Sequence, residues 1–592
     1  MKPIRTQIRR FIRILNPIRY AARALRFLLN RWRLRDHEID YILIPIQGAV
    51  PPLPEQRSWF QQRLFGEPPI SLWEIDDAFH RIAADPRPKG VILQLRDPAL
   101  SLADLQTLRG SIARLRAQGK RVIAYSQGFQ LSDYLLASAA DTIIMQPGGE
   151  LATIGLFQQA YFFKDALASV GISLDVIAIT PYKGVYDQFS RDSLSPEGRA
   201  QLDWLLDSRF DMIVNDIASS RGIDHLAVRH MIDTAPHLDV TALEKGYIDA
   251  LLYEEGLPAY LETEHLRDWD EVRHRLILPD RQSRIVWNAP ASANQPVPKA
   301  DAPSSGKYIA VLPITGLMLP GEGGSPPIDL PIPIPFIGAD RAGDVTVVQQ
   351  VRALLKDERA AAVVLFIDSG GGAAIAAEAM TAALDELAKD RPLVAFMNGV
   401  AASGGYMVAA PARWIVAQPG TITGSIGVVT AKPITGDLES RLLIHSVTLM
   451  RGANADLFNT SVPFTDSQRA QMRASIEHAY RQFIEKVAHS RRMTPEAVDA
   501  VGGGRVWTGA QALEHGLVDQ LGDLRAAIAK AREFANLPDS APVMLFNSGH
   551  NDYIPPIAAP AANPAAGLRY LLDNARGILN ARAQTIIPFI IK

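Results

Sequence analysis

The chain has 592 residues, of which 47% are hydrophobic and 21% charged, and its formal net charge is −2. Such a length is too great for one hydrophobic core and indicates roughly two to four globular domains. A net charge near zero gives no reason to expect a nucleic-acid partner, and we predict none. The absence of cysteine excludes disulfides, thiolate catalysis and cysteine-ligated metal sites. The histidines are scattered without a metal-ligand spacing, so we predict neither a metal nor a cofactor.

Residues 1–40 form a basic amphipathic N-terminal segment. Residues 1–35 contain eleven Lys or Arg, no acidic residue and many apolar residues. The segment has no apolar span of about 18 residues. It therefore matches neither a transmembrane helix nor a cleavable signal peptide with a clean apolar core. A basic amphipathic segment can lie on an anionic membrane surface. We therefore predict association with a membrane surface; a solvated tail or a subunit contact is the alternative.

Residues 41–283 predict an α/β layered domain, because short apolar strands alternate with amphipathic helices. The predicted strands are Tyr41–Ile46, Gly90–Leu95 and Arg121–Tyr125, and the predicted helices lie near Leu72–Ala84 and Leu102–Ala117. Residues 284–306 are rich in Pro, Ala and Ser and indicate an interdomain linker.

After this linker, the first half of the sequence begins again. Gln146-Pro-Gly148 recurs as Gln418-Pro-Gly420, and Ala242-Leu-Glu-Lys-Gly246 recurs as Ala512-Leu-Glu-His-Gly516. An offset of 270 to 272 residues held over so long a span indicates an internal duplication. Residues 307–547 therefore predict a second α/β domain built on the same plan.

Two stretches lie outside the repeated pattern. Pro320–Gly338 is too rich in proline for a sheet interior, and it predicts an extended loop near a substrate entrance or a subunit contact, or a plain linker insertion. Residues 548–592 are rich in Pro and Ala and finish with the apolar run Ile586–Lys592. This run is too short to span a bilayer, so we predict a second surface anchor or a docking tail.

The stretch Asn398–Met407 carries the first catalytic candidate. It follows the apolar run Pro392–Met397, which predicts a buried strand, and it places Ser403 in a tight turn at the start of a helix. Small neighbouring residues let a substrate backbone come close, and N–H groups at a helix start favour a developing negative charge. A serine nucleophile needs both features. The alternative is a glycine turn whose serine only caps the helix.

The duplication serves as an internal control for this site. The predicted strand Ala362–Ile367 runs into Asp368-Ser-Gly-Gly-Gly372, where the first copy has Leu95-Arg-Asp-Pro-Ala-Leu100. Three glycines permit positive φ and expose backbone N–H groups, as an oxyanion-binding loop requires. The position of Ser403 corresponds to about Leu131 in the first copy. We therefore expect the serine machinery in the second copy only.

The base candidate shows the reverse distribution. Pro181–Phe189 aligns with Arg451–Asn459, which puts Lys183 opposite Ala453. The nucleophile is present only in the second copy and the base only in the first. This distribution is expected if the two copies share a single active site and each has lost the residue that the other supplies. Lys183 acts as a base only when neutral, so its pKa must fall from about 10.4 towards 7 through burial. The alternative is a solvated surface lysine.

Ser425 lies on the glycine-rich turn Thr423-Gly-Ser-Ile-Gly-Val428, which the first copy has as Ala152-Thr-Ile-Gly-Leu156. A hydroxyl at this place could orient the amine of Lys183 in a Ser–Lys dyad. The alternative is a turn without a catalytic role.

At these residues the chain resembles the signal peptide peptidase SppA family in its long, tandem-domain form, over roughly residues 41–540. The motifs that carry the resemblance are Asp368–Gly372, Ala401–Tyr406, Thr423–Val428, Tyr182-Lys183 and Gly504–Asp519. The resemblance implies two tandem ClpP/crotonase-like domains and a membrane-associated serine endopeptidase that cleaves apolar peptides such as released signal peptides. It also implies catalytic Ser403 and Lys183, with oxyanion N–H groups from Gly371 or Gly372 and from Gly404.

The resemblance further implies a homo-oligomeric dome, often a tetramer, at the cytoplasmic membrane of a bacterium. The chain departs from the family at Gly370, where the family's loop usually has proline. It also has the basic segment where the family has a transmembrane anchor, which leaves the side of the membrane open.

Two other classes of function remain open at this point. A crotonase-type acyl-CoA enzyme on the same fold would use paired N–H groups to stabilise a thioester enolate and would need no serine nucleophile. A non-catalytic scaffold would dock membrane partners through the basic segment and the tail. Lys183 and Ser403 argue against the scaffold, because it has no use for complementary catalytic residues. The sequence favours the endopeptidase.

Overall fold

The computed structural model describes residues 25, 27–55, 62–63, 66–277, 285–286, 306–324, 340–539, 541–546 and 584–586. Most of the basic N-terminal segment, most of the predicted linker, residues 325–339 of the proline-rich loop and most of the tail lie outside these ranges. The predictions made for those stretches stay predictions.

The N-terminal half is an α/β domain. Its strands are β1 (Tyr41–Ala49), β2 (Gly90–Ala99), β3 (Arg121–Ser126), β4 (Phe129–Gln130), β5 (Thr142–Met145), β6 (Glu150–Ala152), β7 (Ser173–Ala178), β8 (His237–Leu238), β9 (Ala250–Leu251) and β10 (Leu266–Asp268). Its helices are α1 (Leu72–Ala84), α2 (Leu102–Ala117), α3 (Leu131–Ala137), α4 (Lys164–Ser169), α5 (Asp187–Ser190), α6 (Pro196–Arg221), α7 (His225–Asp233), α8 (Asp239–Glu244), α9 (Leu257–Tyr260) and α10 (Trp269–Val272). The three predicted strands and two predicted helices are confirmed.

The C-terminal half repeats this alternation. Its strands are β11 (Ile285–Val286), β12 (Tyr308–Thr315), β13 (Leu317–Leu319), β14 (Arg341–Gly343), β15 (Ala360–Ser369), β16 (Gly371–Ala373), β17 (Leu393–Ala402), β18 (Trp414–Ala417), β19 (Ile422–Gly424), β20 (Val429–Ile434), β21 (Val506–Thr508), β22 (Gln520–Leu521), β23 (Val543–Leu545) and β24 (Gln584–Ile586). Its helices are α11 (Asp344–Lys356), α12 (Ala374–Asp390), α13 (Gly404–Ala409), α14 (Gly436–Arg441), α15 (Asp466–Arg491), α16 (Pro495–Val501), α17 (Gly509–Glu514) and α18 (Leu524–Phe534).

The two halves share one sheet topology. The first sheet has the order β10-β1-β2-β3-β5-β9, and the second contains the matching order β23-β12-β15-β17-β18-β22. Neighbouring strands along both paths are parallel. The predicted duplication of an α/β unit is therefore confirmed. Strand β11, which falls within the predicted linker, pairs with β23 of the second sheet.

Local sequence explains why the central elements form where they do. Strands β15 and β17 are almost continuously apolar and buried, as expected for parallel strands covered by helices on both faces. Helix α2 begins at a capping box formed by Ser101 and Asp104, and α15 begins at one formed by Thr465 and Gln468.

No helix among the described residues is both long and apolar enough to cross a membrane.

The halves interlock through a second, mixed sheet. Strand β7 of the first half pairs antiparallel with β20 of the second, from Val429 opposite Ala178 to Ile434 opposite Ser173. Ile177 of β7 is buried in the core of the C-terminal domain. The full order of this sheet is β14-β13-β16-β24-β20-β7. The loop that follows β7 is thereby carried into the second domain.

Candidate active site

Ser403 lies in a strained turn between β17 and α13. Its backbone has φ of 58° and ψ of −114°, a conformation that a residue with a side chain rarely adopts. The Ser403 N–H donates to the carbonyl of Gly424 at 2.8 Å, which ties the turn to the neighbouring β19. The predicted strand–turn–helix placement of Ser403 is present, and the hydroxyl stands at the end of a rigid central strand.

Lys183 reaches this serine from the other domain. Its Nζ lies 2.7 Å from Oγ of Ser403, 2.9 Å from Oγ of Ser425 and 2.8 Å from the carbonyl oxygen of Ser425. Lys183 is 1% exposed, and both serines are fully buried. The structure thus brings together three residues that the comparison of the two copies had singled out in sequence.

Burial of Lys183 in these surroundings lowers the pKa of its amine well below its ordinary value. A neutral amine has two N–H donors and one lone pair. The two oxygens of Ser425 can accept both N–H groups, which leaves the lone pair for the hydroxyl proton of Ser403. The contacts therefore match the hydrogen-bonding capacity of a neutral lysine.

Ser425 is itself fixed in an uncommon conformation. Its φ is 51°, and its N–H donates to the carbonyl of Arg505 at 2.6 Å. Gly504 packs directly on the lysine, since a Cβ at Gly504 would approach the backbone nitrogen of Lys183 to 2.7 Å. Gly504 also has φ of 88°. The segment around residue 504 therefore holds both the lysine and the serine that accepts its N–H groups.

An aromatic cluster joins the two domains beside Lys183. The rings of Trp204 and Trp507 stack with centroids 4.9 Å apart, and Arg505 lies over the ring of Tyr182 at 4.2 Å. Trp204 Nε1 donates to the carbonyl of Val506 at 2.9 Å. Tyr182 and the motif around Trp507 carry the sequence resemblance, whereas Trp204 was not predicted. The hydrophobic periodicity of α6 does not distinguish this tryptophan from other apolar residues of the helix, so it does not predict an interdomain contact.

The glycine loop combines one conformational requirement with close packing. Gly371 has φ of 95°, whereas Gly370 and Gly372 do not have positive φ. A Cβ at Gly372 would approach the carbonyl oxygen of Met318 to 2.0 Å, so glycine is required there by packing. The Gly371 N–H donates to Oγ of Ser369 at 3.2 Å. Gly404 is the first residue of α13, directly after Ser403.

A half-buried pair of carboxyl groups lies behind the glycine loop, and sequence reasoning missed it. Nδ2 of Asn398 donates to Asp368 at 2.9 Å and to Asp104 of the first domain at 3.2 Å. Burial raises the pKa of Asp368 to about 6 and also raises the pKa of Asp104. The Val400 N–H donates to Asp368 at 3.1 Å. This pair connects the domain interface to the strand that enters the glycine loop.

Comparison with known proteins gives matches in both halves of the chain. The model of peptidase family S49 matches residues 114–265 and 385–538, one stretch in each half. The chloroplastic serine protease SPPA of Arabidopsis thaliana is 29% identical over 477 residues, covering 80% of this chain and 67% of the relative. Protease 4 of Salmonella typhi is 29% identical over 481 residues, covering 79% of this chain and 72% of the relative. Protease 4 of Haemophilus influenzae is 27% identical over 501 residues, covering 81% of this chain and 75% of the relative.

Proposed function

The chain belongs to peptidase family S49 and is a serine protease with two tandem ClpP/crotonase-like domains, and we propose that it is a membrane-associated endopeptidase with a Ser–Lys dyad. One observation carries the proposed dyad: Nζ of Lys183 lies 2.7 Å from Oγ of Ser403 in a buried site between the domains. Ser403 is the nucleophile and Lys183 the general base in this proposal. Each comes from a different copy of the duplication.

The acylation step follows from the contacts of the neutral lysine. The lone pair of Lys183 Nζ takes the hydroxyl proton of Ser403 while Oγ attacks the carbonyl carbon of the peptide bond. The ammonium that forms then has three N–H groups. Two of them stay on the oxygens of Ser425, and the third is free to protonate the leaving amine. An acyl-enzyme on Ser403 and a free amine result.

Deacylation uses the same groups in reverse roles. Lys183, again neutral, takes a proton from a water molecule that attacks the ester carbonyl. Oγ of Ser403 leaves and recovers its proton from the lysine, which releases a carboxylic acid product. Ser425 acts as a positioning residue, because it holds the amine and does not touch the reacting carbonyl.

Backbone N–H groups are proposed to stabilise the oxyanion in both steps. The candidates are Gly404, next to the nucleophile, and Gly371 or Gly372 in the glycine loop. A Cβ at Gly405 would approach the carbonyl oxygen of Ser369 to 2.3 Å, so the loop and the start of α13 are in close contact. The Gly404 N–H is fixed in this way and needs no reorganisation when charge develops on the substrate oxygen. The Gly371 N–H would first have to leave Oγ of Ser369.

An apolar cluster beside the dyad supports apolar peptides, such as released signal peptides, as substrates. Its buried members surround β16 and β20 and come from both domains; they are Val185, Tyr186, Leu317, Leu319, Ala373, Ala376 and Val429. Val185 and Tyr186 follow Lys183 within three residues, so the cluster is directly connected to the base. Partly buried apolar residues pack against the cluster and leave apolar surface; they are Leu174, Val176, Ala178, Phe189 and Ala431. Apolar substrate side chains would gain free energy by leaving water at that surface.

The proposed membrane association depends on residues 1–35. Their eleven cations and interspersed apolar residues suit the surface of an anionic bilayer, with the charges at the headgroups. The proposed location is peripheral at a bacterial cytoplasmic membrane, near the apolar peptides that the enzyme would cleave.

A homo-oligomer is proposed from the internal repeat. Strands β7 and β20 pair within the chain. Their repeat equivalents, residues 443–448 and 157–162, are not strands in the structure. These equivalents expose large apolar side chains, including Phe157 at 87% and Val447 at 89%. Residues 443–448 of one copy could therefore pair with residues 157–162 of the next, and four copies closing head to tail would form the tetramer.

Hydrolysis of a fluorogenic peptide with an apolar P1 residue tests the proposed function. Wild type is compared with Ser403→Ala and with Ser440→Ala, a control serine on the exposed surface of α14. We expect turnover in wild type and the control, and its loss in Ser403→Ala. Turnover that survives in Ser403→Ala would show that another residue is the nucleophile.

A further inference from the structure

Strand β17 carries a bulge shortly before the turn that holds the nucleophile. On its partner β15, Ile367 lies opposite Met397 and Ser369 lies opposite Ala401, so one residue of β15 faces residues 398–400 of β17. Before the bulge β17 pairs with β18, whereas its end pairs with β19. Bulges next to active sites commonly re-aim a strand in this way. The bulge therefore decides where the end of β17 and the turn that follows it lie.

The residue of β15 that faces the bulge is Asp368, and its carboxylate bonds to both ends of the bulge. Oδ2 accepts from Nδ2 of Asn398 at 2.9 Å, and Oδ1 accepts from the N–H of Val400 at 3.1 Å. A Cβ at Gly399 would lie 3.5 Å from Oδ1, so the carboxylate also packs against the middle of the bulge. A side chain thus provides hydrogen bonds where the bulge interrupts the strand ladder.

The first domain holds the same bulge through Asn398, which is 2% exposed. Its Nδ2 donates a second hydrogen bond, to Oδ1 of Asp104 at 3.2 Å. Oδ2 of Asp104 accepts from the N–H and from Oγ of Ser101, which fixes this carboxylate at the start of α2. A Cβ at Gly399 would lie 3.6 Å from Oγ of Ser101. Two carboxyl groups, one from each domain, therefore share one amide group of the bulge.

The charges around this pair do not neutralise it. Asp368 and Asp104 face each other across Asn398, and neither has an ion pair among the described residues. The charged groups that line the cavity beside Asn398 pair with one another; they are Asp76 of α1, Arg114 of α2, Asp523 at the N-cap of α18 and Arg525 of α18. Asp368 therefore carries its negative charge on hydrogen-bond donors alone, and burial raises its pKa to about 6.

We propose that Asp368 is a positioning residue that sets the place of the nucleophile through the bulge of β17, and that Asn398 and Asp104 orient it across the domain interface. This inference rests on the proposed function, because it takes Ser403 as the nucleophile. The ionised carboxylate is the form that holds the bulge, since both of its oxygens accept, whereas a protonated carboxyl gives up an acceptor. Loss of this hold would move Oγ of Ser403 relative to Lys183, and a misplacement of about 1 Å can cost on the order of a hundredfold in rate.

Asp368→Asn tests the positioning role with the fluorogenic peptide. The amide keeps the size of the carboxylate but turns an N–H group towards one of the two donors, so the bulge loses a hydrogen bond. We expect kcat to fall roughly tenfold to a hundredfold, with KM within about twofold of wild type. The thermal unfolding midpoint at pH 7.5 should stay within about 3 °C of wild type, because the lost hydrogen bond is offset by removal of a charge that burial disfavours.

Asp97→Asn is the matched control. It makes the same chemical change at an exposed carboxylate near the end of β2, the strand of the first copy that corresponds to β15. We expect this variant to keep the kcat and KM of wild type.

The pH profile of kcat gives a readout that a merely structural role would not move. In wild type both Lys183 and Asp368 must lose a proton, so log kcat should rise with a slope of about two at the acid end of the profile. Asp368→Asn has no such proton to lose, and its slope should be about one. A variant with the kcat or the slope of wild type would overturn the inference and leave the protease assignment intact. A fall in kcat accompanied by a clearly lower unfolding midpoint would overturn it too.

A crystal structure separates this inference from the proposed function. A folded wild-type chain without turnover would contradict the proposed function, and the structure of Asp368→Ala would then decide the inference, because it does not depend on turnover. We expect the bulge to relax and the distance from Oγ of Ser403 to Nζ of Lys183 to grow from 2.7 Å by about 1 Å or more. An unchanged bulge and an unchanged distance would overturn the inference.

Discussion

At the scale of single residues, the site depends on one buried amine. Lys183 is surrounded by serine hydroxyl and carbonyl oxygens at 2.7 to 2.9 Å, and burial lowers the pKa of its amine. Nothing but the neutral form can accept the proton of Ser403. The strained φ of Ser403 and the positive φ of Ser425 keep both oxygens in reach of that amine.

The pH dependence of hydrolysis tests the protonation state of Lys183. Activity should rise with pH as the lysine loses its proton, and it should level off well below pH 10.5, because the folded pKa is depressed. Lys183→Arg keeps a cation that cannot be a base, and we expect at least about a hundredfold loss of kcat/KM at all pH values. An arginine variant with the wild-type pH profile would show that Lys183 is not the base.

Ser425→Ala tests positioning of the amine by its hydroxyl. One of two acceptors for the Lys183 N–H groups is lost, while the Ser425 carbonyl remains at 2.8 Å. We expect kcat to fall roughly tenfold to a hundredfold with KM and the thermal unfolding midpoint little changed. A fall in kcat accompanied by a lower unfolding midpoint would instead indicate a packing defect.

At the scale of elements, the geometry of the proposed dyad depends on contacts between domains. Strand β7 pairs with β20, α6 contacts β21 through Trp204, and α2 contributes Asp104 to the carboxyl pair behind the glycine loop. Each contact joins residues more than 200 positions apart. Hydrophobic periodicity reports only local partners, so the sequence could predict the elements but not these contacts.

The carboxyl pair predicts a pH effect on stability. The folded pKa of Asp368 is raised to about 6 from 3.8, so its stabilising contribution is present below about pH 4 and is lost as pH rises through about 6. The full effect is at most about 3 kcal/mol. Asp104→Asn removes the neighbouring negative charge and should reduce this loss by about 1 kcal/mol.

The loss of stability with rising pH is measured as the difference between the thermal unfolding midpoints at pH 4.5 and pH 7.5, in wild type and in Asp104→Asn. Asp165→Asn, which alters an exposed carboxylate on α4, is the control and should show the wild-type difference between the two pH values. An Asp104→Asn chain with the same difference as wild type would show that the two carboxyl groups are not coupled.

At the scale of the whole molecule, the duplication explains both what could be predicted and what could not. A constant offset predicted two similar domains, and the differences between copies predicted Ser403 and Lys183 as partners from the sequence alone. The Asp368–Asp104 pair and the tail strand left no such signal. The carboxyl pair has no repeated motif, and β24 has only three residues, too few to show a strand period.

The duplication also predicts how copies of the chain assemble. If residues 443–448 of one copy pair with residues 157–162 of the next, Val447→Asp should dissociate the assembly, because a charge would be buried at the pairing surface. Phe157→Asp should do the same from the opposite side of the contact. Light scattering after gel filtration should give four chains for wild type and one for each variant. A wild-type monomer would contradict the proposed contact, as would variants that keep the wild-type mass.

The central claim is that one serine and one lysine from opposite copies form the active site. Labelling with a fluorophosphonate, followed by mass-spectrometric mapping of the modified peptide, tests this claim most directly. We predict a single labelled serine, Ser403, and a rate of labelling that falls at least about a hundredfold in Lys183→Met. A label on any other residue, or labelling of Lys183→Met at the wild-type rate, would contradict the shared dyad.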